Sequence, residues 1–96
     1  MEDVKEMNRA IVTVLGHDRV GIIAKISMLL YQSNVNILDI SQTILQEFFT
    51  MIMIVDLSGS TLPIKDLREK LLELEDQLEV KITLQHEDVF KFMHRI

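Results

Sequence analysis

Two segments of this chain repeat their apolar residues at helical spacing, and they are set among four segments with strand character. That alternation leaves few folds open. From Val20 onward, Ile22, Ile23, Ile26, Leu29 and Leu30 fall on one side, with Lys25 and Gln32 on the other. Over residues 64–78 the stripe is Ile64, Leu67, Leu71, Leu74 and Leu78, and the remaining face carries Lys65, Asp66, Arg68, Glu69, Lys70, Glu73 and Asp76. A stripe of about two heptads is too short for a coiled coil and reads as a helix packed on a sheet.

The strand-like runs are residues 9–15, 36–45, 48–57 and 80–85. The first is rich in β-branched residues and reads as buried on both faces. The second and third read as a hairpin turning at Gln46-Glu47. In the last, Val80, Ile82 and Leu84 alternate with Lys81, Thr83 and Gln85, so one face is only partly covered. Gly16-His17-Asp18-Arg19, Ser33-Asn34 and the loop ending at Pro63 punctuate these elements. A short amphipathic tail helix, marked by Val89, Phe92, Met93 and Ile96, is expected after them. The order β-α-β-β-α-β implies an α+β, ferredoxin-like sandwich: a four-stranded antiparallel sheet with both main helices on one face. The expected layout is an N-terminal tail over residues 1–8, the domain over 9–86 and the tail helix over 87–96.

The third strand is apolar on both sides. Phe48, Ile52 and Ile54 point one way; Phe49, Met51, Met53 and Val55 point the other. Two helices on one side cover only one of these sets, so the other needs a cover. A second copy of the chain, the tail helix and a partner protein are the candidates, and a symmetric dimer is the commonest solution.

Several function classes fall away on composition. The chain has no cysteine, which removes disulfides, thiolate nucleophiles and Cys-ligated metals, and fits a reducing cytoplasm. A net charge of −5 opposes nucleic acid or anionic lipid as a partner. No segment resembles a signal peptide or is long enough to cross a bilayer. His17, His86 and His94 lie far apart and match no metal motif, and no Ser, Thr or Lys has an activating context. No metal, cofactor or catalytic residue is expected.

Chemistry-bearing residues concentrate in two places. One is Gly16-His17-Asp18-Arg19-Val20-Gly21, where a strand passes into a helix. Unpaired amides at a helix start suit a carboxylate or phosphate, and Gly21 permits close approach. The plainer account, in which Asp18 caps the helix and the glycines make a tight turn, is favoured by the physics of the turn alone. The other is the start of the second strand, where Asn36 and Asp39 interrupt an apolar run and can meet an ammonium or amide. A turn role for Asn36 and a wet face for Asp39 account for them equally well.

At these two places the sequence resembles the ACT family: VTVLGHDRVGIIAKIS carries its strand-Gly-x-Asp-x-x-Gly-Ile-helix pattern, and NVNILDISQTIL is similar to its Asn-Ile-x-x-Ile second strand. The likeness covers residues 9–85, and is strongest to stand-alone single-ACT proteins and to the ACT regions of a glycine-cleavage repressor. The resemblance implies a regulatory homodimer that binds an amino acid or similar metabolite at the pairing interface. It implies a ligand site of Gly16, His17, Asp18, Gly21 and Ile22 in the turn, with Asn36, Ile37 and Asp39 from a facing strand, of the same chain or of the partner subunit. Most ACT domains are attached to an enzyme or a DNA-binding domain, and this chain carries neither, so an enzyme or regulator acted on in trans is expected. Competing readings are an acylphosphatase-like hydrolase using Arg19 and Asn36, an RNA-binding sheet using Phe48 and Phe49, and an interaction module that has lost its ligand.

Overall fold

The computed structural model describes residues 8–17 and 21–88. Six elements follow in order: β1 (Arg9–His17), α1 (Ile22–Gln32), β2 (Asn36–Leu45), β3 (Phe48–Asp56), α2 (Ile64–Leu78) and β4 (Val80–His86). The strands form one sheet in the order β2-β3-β1-β4 with every neighbouring pair antiparallel, which is the ferredoxin-like arrangement.

Side-chain alternation explains where the core sits. Ala10, Val12 and Val14 of β1, Met51, Met53 and Val55 of β3, and Ile82 and Leu84 of β4 all turn to one side. There they meet Ile22, Ile26 and Leu30 of α1 and Leu67, Leu71 and Leu78 of α2 in a single buried cluster. α1 ends as its sequence suggests. Asn34 takes a left-handed conformation (φ 60°), and the Val35 N–H donates to the Leu30 carbonyl at 2.8 Å, closing a Schellman-type turn. The Asn34 side-chain amide then donates to the Gly59 carbonyl at 2.8 Å, tying the β3–α2 loop to the end of α1.

The reverse face of the sheet has no helix. β1 was expected to be buried on both sides, yet Leu15 is 49% exposed, because both helices pack against the other face. Phe48 is 50% and Ile52 43% exposed on this open side, in keeping with the doubly apolar third strand. Asp56 closes one end of β3: its Oδ1 accepts hydrogen bonds from the Ser58 hydroxyl (2.6 Å), the Ser58 amide (3.0 Å) and the Asn8 amide (3.3 Å). These bonds, the Ser58 hydroxyl first, hold its carboxyl below the usual 3.8.

The two sheet edges differ. On β4, the Arg68 guanidinium donates to the Leu84 carbonyl (2.7 and 3.2 Å) and the Glu75 carboxylate accepts the Ile82 amide (2.8 Å). Both bonds engage backbone groups turned away from β1, so α2 blunts that edge. On β2, among the described residues, the side-chain bond to the backbone is local, from the Ile40 amide to the carboxylate of Asp39 next to it (2.9 Å). The predicted tail helix falls on residues that lie, from Val89 onward, outside the described ones.

Candidate functional site

The β1–α1 turn is built by close packing on one side and open space on the other. Gly16 pairs with Phe49 and Val80 in the sheet. A Cβ placed on it would lie 2.7 Å from Val80 Cγ1 and 3.1 Å from Val80 Cβ, so this glycine is required by the neighbouring strand. His17 continues β1 two residues beyond the expected end and stacks on Phe48, with ring centroids 5.4 Å apart and planes at 29°. Asp18 and Arg19 lie outside the described residues.

Gly21 is the opposite of Gly16. It is the N-cap of α1 at φ 93°, a conformation that suits glycine, and nothing lies within 4 Å of where its Cβ would be. Its carbonyl accepts the Lys25 amide at 2.9 Å, which starts the helix. Having no side chain, Gly21 does not cap the first-turn amides, and no acidic residue stands in that turn. Those amides carry the positive end of an eleven-residue helix. Ile22 contributes its backbone here, because its side chain is 2% exposed and belongs to the core.

The structure places the second group far from the first. Asn36 is level with Asp56 on β3, whereas Gly16 is level with Phe49. Seven residues of β3 separate those levels, about 23 Å at strand rise. Asn36 and Asp39 are exposed, Ile37 packs against the core, and the register between Ile37 and Asp39 shifts at Leu38 in a bulge that the sequence did not signal. Within one chain, Gly16, His17, Gly21 and Ile22 therefore gather at one end of the sheet, and Asn36, Ile37 and Asp39 at the other.

Sequence reading also missed a groove of about 560 Å³ running from Gly21 between α1 and α2. Ala24, Met28 and Leu74 line its wall, with Lys25, Lys70 and Glu73 among its polar groups. Its signal was available only in hindsight: Met28 stands on α1 outside the apolar stripe. Among the described residues no group of three metal-ligating side chains converges, and no helix is long and apolar enough to cross a membrane.

Sheet order and one-sided helices define a small ferredoxin-like α+β domain. The sequence matches the ACT domain over residues 8–85. A UPF0237 protein of Methanocaldococcus jannaschii is 49% identical over 90 residues, covering 94% of this chain and 100% of that one. Among solved structures, the ACT domain protein from Streptococcus pneumoniae superposes with a TM-score of 0.77 at 38% identity, covering 88% of this chain and 96% of that one. A protein assigned as a glycine cleavage system transcriptional repressor shares the fold, with a TM-score of 0.72, 24% identity, and coverage of 85% of this chain and 47% of that one. The chain belongs to the ACT domain family. ACT domains are small-molecule-binding regulatory domains, and the family's role is regulatory rather than catalytic.

Proposed function

We propose that this chain is a cytoplasmic, homodimeric sensor of an amino acid or a similar small metabolite. The ligand's carboxylate meets the first-turn amides of α1, and its ammonium meets Asn36 and Asp39 of the partner subunit. The observation that carries this reading is the separation of about 23 Å between the two groups, combined with the bare edge of β2 between them.

A two-fold axis resolves the separation. If β2 pairs antiparallel with its copy about a point near Ile40-Ser41, the partner's Asn36 comes beside Leu45, which is level with Phe48 and hence with His17. Each chain then supplies half of two equivalent sites. The edge chemistry supports the choice of strand, since α2 blunts β4 with Arg68 and Glu75 while β2 has no such cover among the described bonds. The side chains support it too. By register, Ile40 and Ile44 turn to the helix side opposite Met53 and Phe49, yet both are exposed, with Ile44 at 56%, and Ile23 of α1 is exposed as well. A pairing that extended the sheet through β2 would bury all three.

A hydrolase working within a single chain loses support from the same distance, because Asn36 stands a sheet's length from the turn in which a phosphate-holding Arg19 would lie. Base stacking loses one of its two aromatics, since Phe49 is buried. With no reaction assigned, the sensor's output passes to an enzyme or regulator in trans. Titration calorimetry against the amino acids, with light scattering to give the mass in solution, tests the proposal. A dimer that takes up heat with none of them leaves an interaction module without a ligand; a monomer removes the composite site altogether.

A further inference from the structure

The groove of about 560 Å³ between α1 and α2 opens from Gly21, the residue at which the ligand's carboxylate is placed. Sheet topology fixes what stands at that end. Val80, which begins β4 directly after α2, pairs with Gly16 near the close of β1, and a short turn carries β1 into α1. The last turn of α2 therefore lies beside the first turn of α1, and the two helices run antiparallel. Gln77 and Leu74 face Gly21 and Ala24 here, while Lys70 and Gln32 stand at the far end.

The walls at the Gly21 end are apolar. Ala24 is exposed, Leu74 packs against the core with part of its surface bare, and Met28, one turn beyond Ala24, is 53% exposed. On the rim Lys25 and Lys70 are countered by Glu73, so the groove offers a charged side chain little and an apolar one a surface to cover. Its volume falls within the ~300–1,000 Å³ of small-molecule sites.

The direction of the ligand's side chain follows from where its other groups go. In the dimeric site the carboxylate meets the first-turn amides of α1, and the ammonium meets the partner across the β2 seam. Ile23 marks the flank of α1 toward that seam; Ala24 and Met28 mark the flank toward α2. The carbon bearing both charged groups has its side chain left, and the space on the α2 flank is the groove. From Gly21 to Met28 is about 10 Å along α1. A side chain the length of leucine's or methionine's covers Ala24 and Leu74 within that span, whereas those of glycine, alanine and serine leave the walls bare.

We propose that this groove is the side-chain compartment of the sensor site, and that the ligand is an amino acid with a bulky apolar side chain. The inference rests on the sensor reading and narrows it to one chemical class. One methylene in a closed apolar pocket changes affinity about 10–200-fold; this groove is open along one side, so leucine is expected to bind about tenfold or more tightly than alanine.

Titration calorimetry of the full chain with alanine, leucine, methionine, aspartate and lysine, each separately, is the test. Leucine and methionine are expected to bind at least about tenfold more tightly than the other three. Ala24→Phe and Gln77→Phe fill the groove from its two walls, both at exposed positions, and circular dichroism verifies that each variant folds. Each is expected to bring leucine's affinity down to that of alanine for the unaltered chain. Equal binding of alanine and leucine, or tightest binding of a small or charged amino acid, would leave the sensor reading standing and overturn the groove's role. A preference for leucine that survives both substitutions would put the side chain elsewhere and overturn it too. Binding of none of the five would remove the sensor reading and this inference together.

Discussion

Gly16→Ala separates a packing role from a binding role at the position where the two accounts of the turn compete. The added Cβ would sit 2.7 Å from Val80 Cγ1, 3.1 Å from Val80 Cβ and 3.3 Å from Val80 Cα. Rotating Val80 relieves only the first of these contacts, and the other two require β1 and β4 to move apart where Gly16 pairs with Val80. Overpacking of this kind costs about 1–3 kcal/mol. For a domain of this size about 2 kcal/mol lowers the melting temperature by roughly 8–16 °C. The assay is thermal unfolding of the unliganded protein, followed by Gly16→Ala with Val80→Ala, which removes Cγ1 and returns part of the loss. Gly21→Ala is the counterpart, since its Cβ meets nothing within 4 Å but its φ of 93° strains any other residue; the expected cost is about 1 kcal/mol. If Gly16→Ala melts within a degree or two of the parent, the close-packing account of this glycine is wrong.

Three further outcomes follow from the edges and ends of the sheet. Ile44→Lys puts a charge into the proposed β2 seam, and at a cost of about 3 kcal/mol it weakens the dimer roughly 100-fold by sedimentation or light scattering while circular dichroism stays unchanged. Arg68→Ala frees the Leu84 carbonyl on the β4 edge; chemical denaturation should show a loss of about 1.5 kcal/mol, and light scattering should show new concentration-dependent association. The Asp56 carboxyl is held below 3.8 in the fold, so its stabilisation is complete above about pH 4 and is lost as pH falls through the lowered value. Asp56→Asn should flatten that acid limb of the stability curve, and an unchanged limb would mean that the Ser58 and Asn8 bonds do not persist in solution.

What the sequence made legible is what depends on near neighbours along the chain. The stripe from Ile64 to Leu78 gave α2 its bounds, and Asn34 gave α1 its left-handed exit. The two-sided apolar pattern of β3 appears as buried Phe49, Met51, Met53 and Val55 against exposed Phe48 and Ile52. What it hid depends on strands brought together from far apart. The continuation of β1 through Gly16 and His17 follows from pairing with Phe49 and Phe48, over thirty positions away. Arg68 and Glu75 read as solvated charge until the sheet order placed a bare β4 edge beside them.

The site was half legible for the same reason. A helix start with Gly21 before it is a local feature, visible in a window of a few residues, and its amides suit an anion whatever the rest of the fold does. Whether Asn36 and Asp39 face that helix start is set by register, and register puts them at the far end of their own sheet. Distance within the chain therefore argues for the dimer more strongly than apolar exposure does. The exposed strip on the open face belongs to neither group of residues, whereas nothing in the described chain can carry Asn36 to Gly21. Only a second β2 running the other way does that, and it would bury Ile40 and Ile44 as it did so.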